Sequence, residues 1–197
     1  MTASPQAPRH LLTIEEYQKL PEDDQGRTEL QEGALIVTPS PTPRHMVVCA
    51  ELYSLISRVL PEGYRAVPDV DLDLQLAPAS SPGWSRRPDL VVVTQESFAR
   101  VNRDGGLLSA SDALLVLEIV SPSSRRTDHV IKRSEYADAG IQHYWIIDLG
   151  DEGERTTLTA CHLAEGFGYQ DGGALTGRVE LTEPFAVRFD LEALADG

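Results

Sequence analysis

The alternation of apolar and polar residues predicts several strands in the middle of the chain. Residues 70–76 carry Val or Leu at every second position and Asp or Gln between them, which is typical of a strand with one face in water. Residues 90–93 and 114–120 are almost purely apolar, so we expect two strands that are buried on both faces. Residues 144–147 (Tyr-Trp-Ile-Ile) predict a further apolar strand.

Other segments have the three- and four-residue spacing that is typical of helices. Apolar residues between 44 and 60 recur at these steps and fall on one helical face. A second helix is predicted at about 127–139, with Gly140 ending it at the C′ position. Thr13 and Glu16 predict a capping box that opens a short helix, and Pro21 is expected to end that helix.

The order of these elements indicates the fold class. The middle of the chain has the order α, β, β, β, α, β, with a loop at 104–106, and a helix between buried strands implies a partly parallel sheet covered on both faces. We expect an α/β (α+β) fold with a central mixed sheet flanked by helices. Before it come the short helix and a hairpin at 27–38 that turns at Glu32-Gly33; after Thr156 comes a β-rich C-terminal extension with a last helical turn.

Length and composition predict one domain. Of the 197 residues, 1–10 are polar and proline-rich and are expected to be flexible, and 11–197 are expected to form a single domain. We find no apolar stretch long enough to span a membrane and no secretory signal pattern, so a membrane protein is not expected. Two cysteines cannot form a disulfide framework. A soluble cytoplasmic protein is therefore the expectation.

The charge balance restricts how the protein could bind nucleic acid. With 17 Lys and Arg against 31 Asp and Glu, the net charge of −14 argues against a broad basic DNA-binding face, but a local basic cleft remains compatible with it. The basic residues around such a cleft could position phosphates, or they could pair with surface acids; both alternatives stay open. The cations in or beside the candidate motifs are Arg44, Arg86, Arg87, Arg125, Arg126, Lys132 and Arg133.

Two acids border the buried strands and are candidates for a metal site. Asp89 directly precedes one strand and Glu118 lies near the end of the other, where a carboxylate is costly to bury unless a cation or hydrogen-bond donors meet it. If the strands are neighbours, both carboxylates could bind Mg²⁺, which needs only one or two protein carboxylates. The alternative is that each acid caps its strand or pairs with Arg86 or Arg87.

Lys132 is the third candidate. Lys19 and Lys132 are the only lysines in a chain whose other basic residues are all arginine. A lysine on the helix after Glu118 suggests a need for a compact ammonium, which could orient a water or stabilise a developing phosphate charge. The alternative is an ordinary surface pair with Asp128, four residues earlier.

His45, Cys49 and Tyr136 are lesser candidates. The four-residue spacing of His45 and Cys49 fits a Cys–His dyad, but the apolar neighbours of Cys49 favour a buried structural thiol, and no four-ligand zinc spacing is present. Tyr136 follows Lys132 by one helical turn and could support it or simply pack in the core.

Several segments together resemble the Uma-two family of endonucleases, a branch of the PD-(D/E)XK nuclease superfamily, from about Leu11 to about Asp190. The combination of Arg-Pro-Asp with Glu-Ile-Val-Ser-Pro is the most specific part. The segments are Glu29-Leu-Gln-Glu-Gly33, Pro39-Ser-Pro-Thr-Pro-Arg-His45, Arg87-Pro-Asp89, Leu117-Glu-Ile-Val-Ser-Pro122, Asp128-His-Val-Ile-Lys132, Tyr136 and Tyr144-Trp-Ile-Ile-Asp148.

The resemblance implies a restriction-endonuclease-like αβββαβ core, a divalent-metal site that hydrolyses DNA phosphodiesters, and a homodimer. Asp89 and Glu118 would be metal ligands for Mg²⁺ or Mn²⁺, together with the Ile119 carbonyl, and Glu29 would be a further acid or else a solvated charge on a strand edge. The superfamily has its lysine two residues after the glutamate, where this chain has Val120. The resemblance therefore assigns that role to Lys132 on the following helix. By resemblance, His45 would also lie near this cleft.

Three functions are compatible with these residues. The leading hypothesis is a Mg²⁺-dependent DNA endonuclease. The net charge and the displaced lysine favour a rival, a catalytically weak or inactive nuclease fold that serves as an interaction or regulatory module. A hydrolase of smaller phosphoesters is the third.

Overall fold

The structure is a computed structural model that describes residues 10–20, 27–120, 124–151 and 153–195. Three sequence features therefore lie outside the described residues. These are the N-terminal segment up to residue 9, Pro21, which was expected to end the first helix, and residues 121–123. The last range comprises the Ser-Pro end of the Glu-Ile-Val-Ser-Pro motif and the serine that follows it.

Helices form where capping residues and apolar spacing predict them. The α-helices are α1 (Ile14–Gln18), α2 (Pro43–Val59), α3 (Gln95–Asp104), α4 (Arg133–Asp138) and α5 (Leu191–Ala195). A π-helix (Thr127–Lys132) runs directly into α4, and a 3₁₀ turn covers Ala110–Asp112. The predicted capping box is confirmed, because the Glu16 N–H donates to Thr13 Oγ1 and the Thr13 N–H donates to the Glu16 carboxylate.

The strands form two larger sheets and a hairpin. In chain order they are β1 (Arg27–Gln31), β2 (Ala34–Thr38), β3 (Tyr64–Pro68), β4 (Leu72–Asp73), β5 (Ser85–Arg86), β6 (Leu90–Thr94), β7 (Leu108–Ser109), β8 (Ala113–Val120), β9 (His143–Asp148), β10 (Thr157–Ala164), β11 (Gly168–Asp171), β12 (Leu175–Thr176), β13 (Arg178–Leu181) and β14 (Val187–Asp190). The central sheet has the order β11-β10-β9-β8-β6-β3, with β12 beside β10. The second sheet has the order β2-β1-β5-β4-β7, and β13 pairs with β14.

The central sheet is mixed and covered on both faces, as predicted. β6 and β8 are antiparallel, whereas β8 and β9 are parallel and are joined by the π-helix and α4. On one face Leu117 packs in a core with Leu52 of α2. On the other face Val116 packs in a second core with Tyr136 of α4. The α/β (α+β) class with helices flanking a mixed sheet is thus confirmed, and so is the αβββαβ order of the core.

The identity of the first core strand was wrong in the sequence prediction. That strand is β3 (Tyr64–Pro68), and the alternating segment 70–76 contributes only β4, to the other sheet. Asp69 and Gln75 have positive φ angles of 50° and 56°, which turn the chain at both ends of β4. Leu72 and Leu74 are nevertheless fully buried, so the alternation did indicate which side chains face the core.

The sequence prediction also missed one helix. Between β6 and β8 it expected a loop at 104–106, but α3 occupies Gln95–Asp104. The Oγ of Thr94 accepts from the N–H of Ser97 and caps its start. Gly105, with φ 78°, ends it, so the predicted Gly-Gly loop is correct but begins only after the helix.

The second sheet fixes the N-terminal hairpin. β1 and β2 turn at Glu32-Gly33 as predicted, with positive φ at both residues. A Cβ on Gly33 would lie 2.8 Å from Cβ of Leu11, so this turn also needs the space that glycine leaves. β1 pairs with β5, with Leu30 opposite Ser85, and this pairing places Glu29 next to Arg86. Within the described ranges, no helix has the length and apolarity needed to cross a membrane.

Candidate active site

Asp89 and Glu118 meet on one face of the central sheet. Leu90 of β6 lies opposite Leu117 of β8, so Asp89 and Glu118 are the next residues along the two strands at that end. Glu118 points to the face that α4 covers, because its carboxylate contacts Lys132 and Tyr136. Both are buried, and the Ile119 N–H donates to Oδ2 of Asp89 at 2.7 Å. The strand register thus makes Asp89 and Glu118 neighbours across two adjacent strands, and their joint binding of a cation stays a prediction.

Lys132 reaches Glu118 from the helix that follows the strand. Its Nζ donates to Oε1 of Glu118 at 3.0 Å and lies 3.4 Å from both Oε1 of Glu29 and Oδ1 of Asp128. Lys132 is only 7% exposed. The Asp128–Lys132 pair therefore exists, but it is buried, so the alternative of a surface pair is wrong. The superfamily position of the lysine, Val120, is buried in the apolar core beneath α4.

A π-helix carries the two groups of that pair. Asp128 and Lys132 belong to the π-helix Thr127–Lys132, and both are buried on its inner side. π-Helical turns are uncommon and are often found at functional sites. The Tyr144 hydroxyl donates to the Asp128 carbonyl at 3.0 Å, which ties this helix to β9. The predicted regular α-helix over 127–139 is thus half π-helix, and Gly140 follows its end as predicted.

Glu29 is buried among cations and is not solvated at a strand edge. Its Oε2 accepts from Nη1 of Arg86 at 2.8 Å, and its Oε1 accepts from the Arg87 N–H at 3.1 Å. Arg86 also binds Glu135 of α4 through two bonds of 2.6 and 2.7 Å. This Glu29–Arg86–Glu135 chain links the second sheet to the helix that carries Lys132. The alternative of a solvated Glu29 is therefore wrong.

Other donors hold the orientations of Asp89 and Glu118. Nε2 of His45 lies 3.2 Å from Oδ2 of Asp89, and Arg27 lies 3.8 Å from its Oδ1. The Tyr136 hydroxyl donates to Oε1 of Glu118 at 2.7 Å. Tyr136 therefore both packs in the core and supports the glutamate that Lys132 binds, so its two suggested roles coexist.

The charges of the buried residues favour a bound cation. Among the described residues, five acids (Glu29, Asp89, Glu118, Asp128 and Glu135) and two bases (Arg86 and Lys132) are buried. Burial is the main reason why the pKa of Glu118 is raised to about 8; Asp128, Asp89 and Glu29 add to the rise and Lys132 opposes it. Burial alone would lower the pKa of Lys132, yet Glu118, Glu29 and Asp128 outweigh it and raise that pKa.

The pKa of Glu29 is shifted in the opposite direction to that of Glu118. Burial raises its pKa, but the charges of Lys132 and Arg86 outweigh burial and lower it below the ordinary value. Glu29 is therefore an ionised acid next to the ammonium, while Glu118 holds its proton more strongly than a free glutamate does.

The donor chemistry of Asp89 and Glu118 fits a hard divalent cation. Both offer carboxylate oxygens, which Mg²⁺ prefers, and the buried acids exceed the buried bases. In the described part of the chain no three His, Cys, Asp or Glu side chains are grouped closely enough to hold a metal directly. A site with two carboxylates and water ligands does not require such a group. Ile119 donates its N–H to Asp89, and its carbonyl as a metal ligand remains a prediction.

The arginines near the motifs mostly pair with acids of the protein. Neither Arg86 nor Arg87 pairs with Asp89 or Glu118 within the described residues: Arg86 binds Glu29 and Glu135, and Arg87 binds Asp71. Arg125 and Arg133 bind Asp148 and Asp171, respectively. For Arg87, Arg125 and Arg133 the salt-bridge alternative is correct. Arg86 instead pairs with buried acids, and because it is itself buried it cannot belong to a phosphate-binding rim.

Two arginines of that set remain on the surface. Arg126 is exposed, and Arg44, also exposed, donates to the Leu149 carbonyl at 3.3 Å.

Cys49 does not form a dyad with His45 in this structure. Its Sγ donates to the backbone carbonyl of Asp89, and His45 binds the carboxylate of the same residue. Burial, followed by the charge of Asp89, raises the pKa of Cys49 to about 11, so the thiolate is disfavoured. The preference for a structural thiol agrees with this geometry.

Sequence reasoning did not select Asp128 or Glu135 as residues of the site. Their spacing of four and three residues from Lys132 was the available signal, because it places them on the same helical side. Arg27 carried no such signal, since it reaches Asp89 from a distant strand.

The core order defines an α/β protein with a mixed sheet and helices on both faces, and buried acids surround one lysine at its site. The fold is similar to the crystal structure of a putative nuclease belonging to DUF820 from Anabaena variabilis ATCC 29413, with a TM-score of 0.67 and 21% sequence identity over 94% of this chain and 98% of that chain. The family model of Uma2, described as putative restriction endonuclease, matches residues 14–194. The chain therefore belongs to the Uma2 family, as the motif resemblance indicated. No curated protein matches the chain significantly.

Proposed function

We propose that the protein is a Mg²⁺-dependent endonuclease that hydrolyses DNA phosphodiester bonds at a site formed by Asp89, Glu118, Lys132 and Glu29. The observation that carries this proposal is the 3.0 Å contact between Nζ of Lys132 and Oε1 of Glu118, buried beside Asp89. Membership of the Uma2 family supports the nuclease class, and the acid–lysine contact supports these residues as the site.

Asp89, Glu118 and the Ile119 carbonyl would hold the Mg²⁺ or Mn²⁺ ion. When bound, such an ion polarises the scissile phosphate and lowers the pKa of a coordinated water. The chain keeps both carboxylates in place before any ion arrives. Asp89 accepts from the Ile119 N–H and contacts His45, and Glu118 accepts from the Tyr136 hydroxyl. Preorganised ligands reduce the cost of ordering the site at the moment of reaction.

The chain's own residues would handle the phosphate and the proton. The Lys132 ammonium can donate to a phosphate oxygen or orient the attacking water, since Nζ has three donors. Glu29 lies 3.4 Å from that ammonium and is held ionised, so it can hold the ammonium in place or accept a proton. Burial of the site keeps these charges in a medium of low dielectric constant, where they act more strongly than in water.

Only a small number of surface cations near the site would be available to bind the DNA. Arg126 directly precedes the π-helix and is exposed, and Arg44 lies at the start of α2, the helix that also carries His45. We propose that residues 11–197 form one domain and that two copies associate, because cutting both strands of a duplex suits two sites related by a two-fold axis. Cytoplasmic location is part of the same proposal.

The second candidate is a nuclease fold that acts as an interaction module without cleaving DNA. One observation favours it: five of the seven cations near the motifs are paired with acids of the protein itself. Together with a net charge of −14, this leaves little positive surface for a nucleic acid.

Incubation with supercoiled plasmid separates these candidates. The purified protein is incubated with plasmid in Mg²⁺, in Mn²⁺ and in EDTA, and a small phosphodiester such as bis(p-nitrophenyl) phosphate is tested in parallel. An endonuclease converts supercoiled plasmid to nicked and linear forms only with the metal ions. Intact plasmid in all three conditions supports the interaction module, whereas hydrolysis of the small ester alone indicates a phosphoesterase.

A further inference from the structure

We propose that Arg27 and His45 bind a phosphate group of the substrate beside Asp89. The Nε–H of Arg27 donates to a phosphate oxygen, and Nδ1 of His45 accepts a hydrogen bond from a water that the phosphate carries. This role deepens the proposed function and rests on it for the identity of the phosphodiester as DNA, whereas its test does not depend on DNA cleavage.

Two buried polar atoms without a partner belong to residues that contact Asp89. Within the described residues, only three buried side-chain nitrogen or oxygen atoms have no hydrogen-bond partner: Nε of Arg27, Nδ1 of His45 and Oγ of Ser85. Arg27 lies 3.8 Å from Oδ1 of Asp89, and Nε2 of His45 lies 3.2 Å from Oδ2. A buried polar atom that lacks a partner is costly, and a functional ligand is one explanation for it. Two such atoms around one carboxylate therefore indicate a polar ligand at this position.

Asp69 orients the guanidinium of Arg27 and leaves its Nε donor for a ligand. Nη2 of Arg27 lies 2.5 Å from Oδ1 of Asp69 and donates to the Arg87 carbonyl at 3.5 Å, whereas Nε has no partner among the described residues. A guanidinium only donates hydrogen bonds, and its planar fork suits phosphate oxygens. Because the pair with Asp69 fixes the side chain in advance, Arg27 loses little further freedom when it binds a phosphate.

The hydrogen bond to Asp89 determines what Nδ1 of His45 can do. An ionised carboxylate only accepts hydrogen bonds, so Nε2 carries the proton in the His45–Asp89 contact. In a neutral imidazole with its proton on Nε2, Nδ1 keeps its lone pair and is an acceptor. A phosphodiester oxygen cannot donate to this atom, but a water bound to the phosphate can. His45 therefore complements Arg27, since one residue contacts the phosphate oxygen and the other its water.

His45 also lies in the first turn of α2, where anions are favoured. Its N–H donates to Oγ1 of Thr42, which caps the helix. The N-terminus of this 17-residue helix carries a partial positive charge that attracts phosphate groups. The side chains of Arg27 and His45 are 20% and 12% exposed, compared with 7% for Asp89. A substrate can therefore reach these two residues more easily than the acid they contact.

The test measures the affinity for dimethyl phosphate, a phosphodiester without bases, by phosphorus NMR titration in Mg²⁺. Arg27→Met removes the Nε donor, so we expect it to bind at least about tenfold more weakly than the wild type, as for any lost hydrogen bond to a charged group. Arg100→Met is the matched control, because it removes an arginine that likewise pairs with an aspartate, and its affinity should equal that of the wild type. His45→Gln keeps a donor towards Asp89 but has no counterpart of Nδ1, so we expect a loss of about two- to tenfold.

Each variant has an outcome that contradicts its part of the proposal. Wild-type affinity in Arg27→Met, or no binding of dimethyl phosphate by the wild type, would overturn the phosphate site. Wild-type affinity in His45→Gln would refute the role of His45. Arg27→Lys covers the case in which Arg27→Met does not fold. It keeps the charge but not the planar fork, so it should bind more weakly than the wild type, and equal binding would contradict the assigned Nε contact.

These outcomes are distinguishable from failure of the proposed nuclease activity. A protein that binds dimethyl phosphate through Arg27 but leaves plasmid intact supports the phosphate site and refutes the endonuclease. A protein that cleaves plasmid, and whose Arg27→Met variant binds dimethyl phosphate as the wild type does, retains the endonuclease and loses the phosphate site.

Discussion

Nζ of Lys132 lies 3.0 Å from Oε1 of Glu118, although the lysine belongs to a helix and the glutamate to the strand before it. The PD-(D/E)XK superfamily that the sequence resembles has its lysine on the strand itself, where this chain has the buried Val120. The helix therefore supplies an ammonium to the same glutamate from another direction. This arrangement places Asp128 and Tyr136, residues of the same helical segment, in contact with the site as well.

The raised pKa of Glu118 predicts how the stability of the metal-free protein depends on pH. Its folded-state pKa of about 8 is above the ordinary value of 4.5, mainly because of burial. The stabilising contribution of such a group is complete below pH 4.5 and is lost as pH rises through about 8. We expect the free energy of unfolding, measured with urea in EDTA, to decrease over this range.

The Glu118→Gln variant is the control for this pH dependence. A glutamine does not ionise, so the decrease should become smaller, leaving the contribution of Asp128, whose pKa burial also raises. Glu29 does not interfere, because its lowered pKa affects stability only below about pH 4.5. Parallel pH curves for the wild type and Glu118→Gln would refute the assignment of this effect to Glu118.

Tyr136→Phe tests the hydrogen bond to Glu118 without changing the packing of the ring. The ring of Tyr136 packs edge-on against Tyr144 at 5.1 Å, and phenylalanine preserves this contact. Measured above pH 8, where Glu118 is ionised, loss of the 2.7 Å bond to its carboxylate should cost about 1.5–3 kcal/mol of stability, and the variant should also cleave plasmid more slowly. The control is Tyr169→Phe, which removes a neutral bond to the Ile141 carbonyl and should cost about 0.5–1.5 kcal/mol without affecting cleavage. Equal cleavage by both variants contradicts a positioning role for Tyr136.

Two neighbouring arginines should differ strongly in their contribution to stability. Arg86→Met leaves Glu135 buried without its ion pair and Glu29 with only Lys132 and the Arg87 N–H, which should cost about 3–5 kcal/mol in chemical denaturation. Arg87→Met removes a partly exposed pair with Asp71 and should cost about 0–1 kcal/mol. Similar losses in the two variants would mean that the buried chain of charges does not hold β5 to α4.

Cys49 should be dispensable for catalysis. Its pKa is raised to about 11, mainly by burial, so the thiolate that nucleophilic attack requires is scarce at neutral pH. We expect Cys49→Ala to fold and to retain metal-dependent cleavage, and Cys161→Ala, which removes another buried thiol, to behave alike. Selective loss of cleavage in Cys49→Ala would restore the Cys–His dyad as a candidate.

The sequence predicted those parts of the fold that depend on local periodicity. The apolar runs predicted β6, β8 and β9. The capping residues predicted α1, and Gly140 predicted the end of α4. It failed at 70–76, where the positive φ angles of Asp69 and Gln75 interrupt an otherwise perfect alternation. It also missed α3, although the Thr94 cap was a readable signal.

The candidate site was only partly predictable because its contacts are long-range. The border position of Asp89 and Glu118 and the rarity of lysine were visible in the sequence. The structure places the two acids on neighbouring strands and brings Lys132 to Glu118. The burial of Glu29 was not visible, because it depends on the pairing of β1 with β5 and on the reach of Arg86. Likewise, a π-helix has no simple sequence signal that would show Asp128 facing the same glutamate as Lys132.

Cleavage of supercoiled plasmid by Glu118→Gln in saturating Mg²⁺ tests the central claim most directly. The wild type and the control Glu62→Gln, which changes an exposed loop acid, should nick and linearise the plasmid at equal rates. Glu118→Gln should be folded by circular dichroism and should lose at least about a hundredfold in rate, because it removes charge at the metal and at Lys132. Cleavage by Glu118→Gln at the wild-type rate would contradict an active site at Glu118.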